Sequence, residues 1–299
     1  MDAETDIKQQ VKDFYDQVGW QEVSEGVYQN AHYEDLRPVS RLYIHRCHLR
    51  LARHLKPSGR FLLDAGSGPI QYPEYLEYSR GYQRRVCADI SITALEEARR
   101  RIGTHGLYVV CDIANLPFQA EAFDGAVSLH TIHHLPEDEH LQAYQELFRS
   151  LAPGGAATVV NGWPGSRLMR WAEPVMHLIR RLKGIGRRLA GHRISESEPD
   201  TASRPSYIPP ETWNKVSGTP KGTFTARHDA AWVKSEVGQC MPVEILVWRS
   251  VSVRFLRALV HPMLGGRLWL RLLYELEERY PRWFGENGQY PLIVIKKSF

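Results

Sequence analysis

Three carboxylates in this 299-residue chain follow short apolar runs and are spaced to hold a polar ligand. Asp64 lies in Leu63-Asp64-Ala65-Gly66-Ser67-Gly68-Pro69, an acid followed at once by a glycine turn. Glycines let the backbone approach a ligand at the carboxyl end of a strand, where open α/β sheets bind. Asp89 follows Gly68 by 21 residues, where a carboxylate can accept hydrogen bonds from both ribose hydroxyls of a nucleoside. Asp112, in Val110-Cys111-Asp112-Ile113-Ala114-Asn115-Leu116-Pro117-Phe118, can accept from an exocyclic amine, and Ile113 can pack on the ring that carries it. A dinucleotide fingerprint would place a third glycine at position 71, which is Gln71, so that pattern fails.

Histidines 130, 133 and 134 cluster after the run Phe123 to Leu129. An imidazole titrates near neutral pH, so His133 or His134 can act as a general base, and each can equally bond the loop backbone. His-x-x-His-His without a nearby cysteine does not make a metal site, and no metal is expected.

Positioning these groups takes alternating strands and helices. Residues 60–64, 85–89, 107–111, 125–129 and 156–160 read as short apolar strands. A helix follows Ser91, its N-cap, with Ala94, Leu95 and Ala98 on one face, and another covers 137–151 before Ala152-Pro153-Gly154-Gly155. Residues 5–18 and 40–56 read as helices joined by a stretch holding Trp20, Tyr28 and Tyr33. After residue 162 the alternation breaks. A basic amphipathic segment is followed by a Ser/Glu/Pro-rich loop at 195–210, then a helix at 227–239, a strand from Val243, helices over 254–285 and a last strand at 290–296. The pattern predicts an α/β fold: a doubly wound, mostly parallel, Rossmann-like sheet ending in an antiparallel pair. The expected organisation is a single domain over 1–299. It has a helical cap at 1–56, a ligand-binding core at 60–161, an insertion at 163–226 and a C-terminal half at 227–299 with a helical insert at 254–285.

Composition narrows the setting. The chain is 43% hydrophobic and 24% charged, ordinary for a globular protein. It has no apolar run of the roughly 20 residues that cross a bilayer. The acidic, polar opening Met1-Asp2-Ala3-Glu4 does not read as a signal peptide. Four cysteines far apart in sequence, with no Cys-x-x-Cys pair, fit a reducing cytoplasm. The net charge of +4 hides an asymmetry: residues 167–193 hold eight Arg/Lys against one acid, Glu173, so this stretch carries +7 and the rest −3. A local basic stripe points to a partner surface rather than to nucleic acid.

The acid–glycine turn, the acid after the second strand, Asp112-x-x-x-Leu116-Pro117-Phe118, the Phe123-Asp124 strand and Leu151-Ala152-Pro153-Gly154-Gly155 come in an order that resembles the class I methyltransferases of the small-molecule type, which use S-adenosylmethionine (SAM). The resemblance covers about residues 60–161. It implies that Asp64, Gly66 and Gly68 border the methionine part of SAM, that Asp89 and Ile90 hold the ribose, and that Asp112 and Ile113 bind adenine. Leu129 and His130 would line the cofactor from the fourth strand. Tyr15, in Asp13-Phe14-Tyr15-Asp16, resembles the aromatic that closes over SAM. The family often has a third glycine where this chain has Ile70, which makes the turn bulkier.

The resemblance implies transfer of a methyl group to an oxygen, nitrogen or carbon of a small-molecule or lipid-like acceptor, with S-adenosylhomocysteine (SAH) as product. No nucleic acid is expected. DNA amino-methylation wants Asn/Asp-Pro-Pro-aromatic where this chain has His130-Thr131-Ile132-His133-His134, and RNA cytosine chemistry wants a cysteine near strand four or five. The alternatives are a non-catalytic SAM-binding partner subunit and a nicotinamide oxidoreductase. The basic segment at 167–193 has two readings: an interfacial helix making peripheral membrane contact, or a cap whose apolar face, with Leu168, Trp171 and Val175, packs on the core while its arginines stay solvated.

Overall fold

The computed structural model describes residues 3–20, 22–24, 27–28, 34–189 and 223–299. Helix α1 (Ala3–Phe14) runs into a π turn, Tyr15–Gly19. A small hairpin follows, β1 (Glu22–Ser24) with β2 (Val27–Tyr28), then α2 (Arg41–Leu49) and a 3-10 turn, Arg50–His54. The alternating part is β3 (Gly59–Ala65), β4 (Tyr82–Asp89), α3 (Ile92–Ile102), β5 (Gly106–Val110), β6 (Phe123–Leu129), α4 (His140–Ser150) and β7 (Leu151–Val160). Ser91 caps α3 as its sequence position requires, its hydroxyl accepting from the Ala94 N–H at 3.1 Å. Where a full helix would be expected between β3 and β4, the chain makes only the 3-10 segment Pro73–Ser79.

The sheet has seven strands in the order β5-β4-β3-β6-β7-β9-β8, where β8 is Val243–Arg249 and β9 is Tyr290–Lys296. All pairs are parallel except those of β9, which runs antiparallel to both β7 and β8. Adjacent residues on a strand face opposite sides, so a sheet covered twice must be apolar at both parities. Leu62 and Leu63 are each fully buried, in different core clusters. Leu63 packs with Tyr144 and Leu147 of α4, and with Val233 and Val237 of the helical run α6 (Ala230–Trp232), π turn Val233–Val237 and α7 (Gly238–Cys240). Leu62 packs with Leu95 and Ala98 of α3, with Leu51, and with Tyr75 and Tyr78 of the 3-10 segment.

Two sequence readings change around the insertion. Helix α5 (Arg167–Leu189) passes Pro174, Gly184 and Gly186 without a break. Its expected core-facing stripe is turned outward: Trp171, Val175 and Leu178 are exposed, whereas Met176 is buried and Leu168 and Met169 pack on a third cluster with Val251, Leu256 and Val260. The face that docks is rotated because its partner is α8 (Val253–Leu259) rather than the sheet. The stretch 195–210 and Tyr33 lie outside the described residues. The helical insert resolves into α8, α9 (Gly266–Arg279) and α10 (Pro281–Asn287).

Candidate active site

Strand order reverses between β3 and β6, because β4 and β5 extend the sheet on one side and β6 and β7 on the other. Loops leaving the carboxyl ends of two such strands diverge and leave a crevice. A cavity of about 470 Å³ opens there, lined by the turn Gly66 to Pro69, Asp89 to Ser91 and Leu129 to Thr131, and walled beyond them by aromatic residues.

The glycine turn is shaped by contact as well as by backbone. Gly66 has φ 75°, and a Cβ there would lie 2.1 Å from the Thr131 methyl, so β3 and β6 close up only over a bare Cα. Gly68 has φ 54°, and the Trp20 ring lies where its Cβ would make a 3.1 Å contact. Ile70 keeps a left-handed conformation, φ 56°, as does His130 at the end of β6. Non-glycine residues held in this region concentrate at functional sites. Asp89 ties the turn to the next element: its Oδ2 accepts from Gly68 N at 2.9 Å and its Oδ1 from Ser91 N at 2.9 Å. Burial pushes the Asp89 carboxyl up to about 6, although both N–H groups work the other way. A carboxylate oriented in this way has a lone pair left on each oxygen for a vicinal diol.

The other two acids are differently placed. Asp64 is buried and shares Oδ2 with Arg85, whose Nε and Nη2 donate at 3.0 and 2.5 Å. Arg85 also donates to the Tyr75 carbonyl, so this pair braces the 3-10 segment behind the turn. Asp112 and Ile113 do not line the cavity. Asp112 accepts from Lys8 Nζ at 2.7 Å, from Asn115 and from the Ala114 N–H. Burial opposes ionisation of Asp112, but these donors outweigh it and lower its pKa. Lys8 thereby clamps α1 over the ends of the strands, and the Ser91 hydroxyl, donating to Asp16, makes a second clamp.

The histidines separate by their partners. His134 places both ring nitrogens inside the protein: Nδ1 is 2.8 Å from the Phe224 carbonyl, which fixes it as the donor, and Nε2 accepts from Tyr15 Oη at 2.8 Å. Tyr15 lines the cavity and stacks on Trp20, centroids 4.8 Å apart. His133 is buried, with Nδ1 3.3 Å from Asn161 Oδ1, while Asn161 Nδ2 donates to Tyr144. That assignment makes Nδ1 the donor and leaves Nε2 as an acceptor. His130 packs edge-on against Trp248 and Tyr290. Burial holds all three neutral: His134 drops to about 4, His130 to about 3 with Arg249 adding to the effect, and His133 falls well below the usual range. Any proton-accepting role of His133 or His134 would therefore run from the neutral ring.

The far wall went unread in the sequence. Glu34, Tyr72, Tyr75, Trp248, Arg249 and Tyr290 all line the cavity. Arg249 is buried and donates through Nη1 to Glu34. Burial alone would raise the Glu34 carboxyl, but Arg249 and His48 bring it down to about 2. Arg249, a charged residue inside the β-rich run Val243 to Val253, was the available signal for this wall.

Residues 63–159, roughly a third of the chain, match the family model described as a methyltransferase domain. The chain is 34% identical over 107 residues to the tRNA (carboxymethyluridine(34)-5-O)-methyltransferase alkbh8 of Xenopus tropicalis, covering 34% of this chain and 15% of that protein. It is 27% identical over 193 residues to a tRNA (carboxymethyluridine(34)-5-O)-methyltransferase of Arabidopsis thaliana, covering 54% and 46%. It is 28% identical over 123 residues to phthiotriol/phenolphthiotriol dimycocerosates methyltransferase 1 of Mycobacterium ulcerans, covering 41% and 45%. The chain spans less than half the length of each of these relatives. The expectation that no nucleic acid takes part is corrected by them, since two of the three are named for tRNA. Whole-chain charge was a poor guide, because phosphate contacts need only a local basic patch and base chemistry needs only a pocket.

Proposed function

We propose that this chain, which carries a methyltransferase domain over residues 63–159, transfers a methyl group from SAM to an acceptor bound in the aromatic half of the cavity. The observation that carries this reading is the continuity of one cavity from the glycine turn and Asp89 to His133 and Trp248. The cradle fits the cofactor by the positive-φ turn at Gly66 and Gly68, which lines the cavity, and by the two Asp89 oxygens held in place by backbone N–H groups. When bound, SAM supplies an electrophilic methyl carbon, which the acceptor's nucleophile displaces in line from sulfur, leaving SAH.

The chain's own residues do the rest. Gly66 and Gly68 admit the cofactor's methionine portion against the backbone, and Asp89 accepts from its ribose. Tyr15 and Trp20, stacked over the turn, exclude water from the reacting atoms. His133 presents Nε2 to the acceptor as a neutral hydrogen-bond acceptor that orients a hydroxyl or amine; a base of such low pKa contributes through alignment more than proton abstraction. His134 is a positioning residue for Tyr15.

The relatives are named for two acceptor classes, tRNA and a lipid, to which the sequence reading adds a small molecule, and the cavity wall favours a compact group presented among aromatic rings. Transfer of label from methyl-labelled SAM to total tRNA, to an extracted lipid pool and to a small-molecule pool tests the reading. Labelled product in at least one pool, dependent on Asp89, is the expected result. No transfer to any pool by protein that binds SAM would leave it a non-catalytic binding protein.

A further inference from the structure

The inner wall of the cavity ends in hydrogen-bond donors without partners. At the end of β8 the register against β9 slips, Val247 pairing with Pro291 and Arg249 with Tyr290, so that two steps on one strand meet one on the other. Such a bulge re-aims side chains, and here both Trp248 and Arg249 line the cavity although they are adjacent on a strand. Arg249 has five N–H groups, of which one on Nη1 donates to Glu34. Its Nε is buried without a partner, and so is the Trp248 indole nitrogen. The guanidinium is fixed in plane by the Tyr290 ring, 4.5 Å away, and by Trp248 at 5.3 Å. Both orphan groups can only donate, so the complementary ligand is rich in acceptors. The free Nε/Nη2 edge has the fork geometry that takes an oxyanion with two parallel bonds.

We propose that the Nε/Nη2 edge of Arg249, with the Trp248 indole N–H, binds a carboxylate or phosphate of the methyl acceptor. The inference rests on the methyl-transfer reading. The strand that Arg249 ends lies four places across the sheet from β3, ~19 Å between backbones at about 4.8 Å per strand, whereas the cofactor cradle is built on β3 and β4. This places the edge on the acceptor side of the cavity, and SAH affinity of the variant below separates the acceptor's oxyanion from the cofactor's. It anchors the acceptor and is not the atom methylated, since a guanidinium ties up the lone pairs that a nucleophile must offer.

Calorimetry with 3-phenylpropionate, phenyl phosphate and uncharged 3-phenylpropanamide on SAH-loaded protein tests this. At least one of the two anions should bind ten-fold or more tighter than the amide, and the tighter one names the source. Arg249→Gln should lose ten-fold or more of that anion affinity with SAH affinity unchanged. Trp248→Phe, which keeps an aromatic ring and removes the pyrrole part with its N–H, should lose several-fold and serves if Arg249→Gln does not fold. Equal binding of the amide and the anions, or anion binding indifferent to both variants, would overturn the proposal. A parallel loss of SAH affinity in Arg249→Gln would also overturn it, by assigning the edge to the cofactor. If wild type binds no SAH, the methyl-transfer reading fails by itself, and the same probes on unloaded protein still report on the arginine edge.

Discussion

At the scale of single residues, the proposed cofactor half of the site turns on Asp89. Its two oxygens are held at 2.9 Å by Gly68 and Ser91, so it is aligned before any ligand arrives. Asp89→Ala should weaken SAM binding by about 1.5–3 kcal/mol, the range for hydrogen bonds to a charged group, in a titration of folded variant protein. The shifted pKa adds a pH signature. With the carboxyl raised to about 6, the ionised form that accepts from hydroxyls dominates above that pH and is lost below it. SAM affinity should therefore be flat from neutral pH down to about 6 and then fall, approaching ten-fold per unit as one proton competes. Asp89→Asn keeps an acceptor oxygen and cannot titrate, so its step at 6 should vanish. A step that persists in Asp89→Asn would assign the titration to another group.

At the scale of elements, the proposed lid is assembled from three distant pieces: the π turn Tyr15–Gly19, the loop after β6, and the segment at Phe224. Tyr15→Phe removes one hydrogen bond and keeps the stack on Trp20. Losing such a bond costs about 0.5–1.5 kcal/mol, so SAH affinity should fall several-fold with the circular dichroism spectrum unchanged. Unchanged affinity would mean that the lid closes by stacking alone. The elements also show what could be read from sequence and what could not. The glycine turn, the Ser91 cap and the strands through Val160 were legible because local periodicity and short-range capping encode them. The Arg249–Glu34 pair was not, because its members are 215 residues apart and meet only after β9 inserts between β7 and β8. The outward turn of Trp171 and Val175 escaped for a related reason: a hydrophobic stripe says that a face wants cover, and not which element provides it.

At the scale of the whole molecule, the sheet sets where the two halves of the chemistry can be. The proposed cofactor cradle is at the strand-order reversal between β3 and β6, and the proposed acceptor wall is reached across β7 and β9 at the end of β8. N-terminal and C-terminal segments both contribute to that wall, through Glu34 and Arg249, so the matched domain at 63–159 holds the cradle without the far wall. Among the described residues no helix is long and apolar enough to cross a membrane. Charge is concentrated in 167–193, and the similarity to tRNA methyltransferases removes the argument that a small net charge speaks against a nucleic-acid acceptor. The central claim is that the crevice is a SAM site, with Gln71 where a dinucleotide fingerprint requires glycine. Titration calorimetry of the whole chain with SAM, SAH and NAD tests it most directly. Saturable binding of SAM and SAH at one site with no heat from NAD is the expected result; NAD binding more tightly than SAM, or no binding of either SAM or SAH, would contradict it.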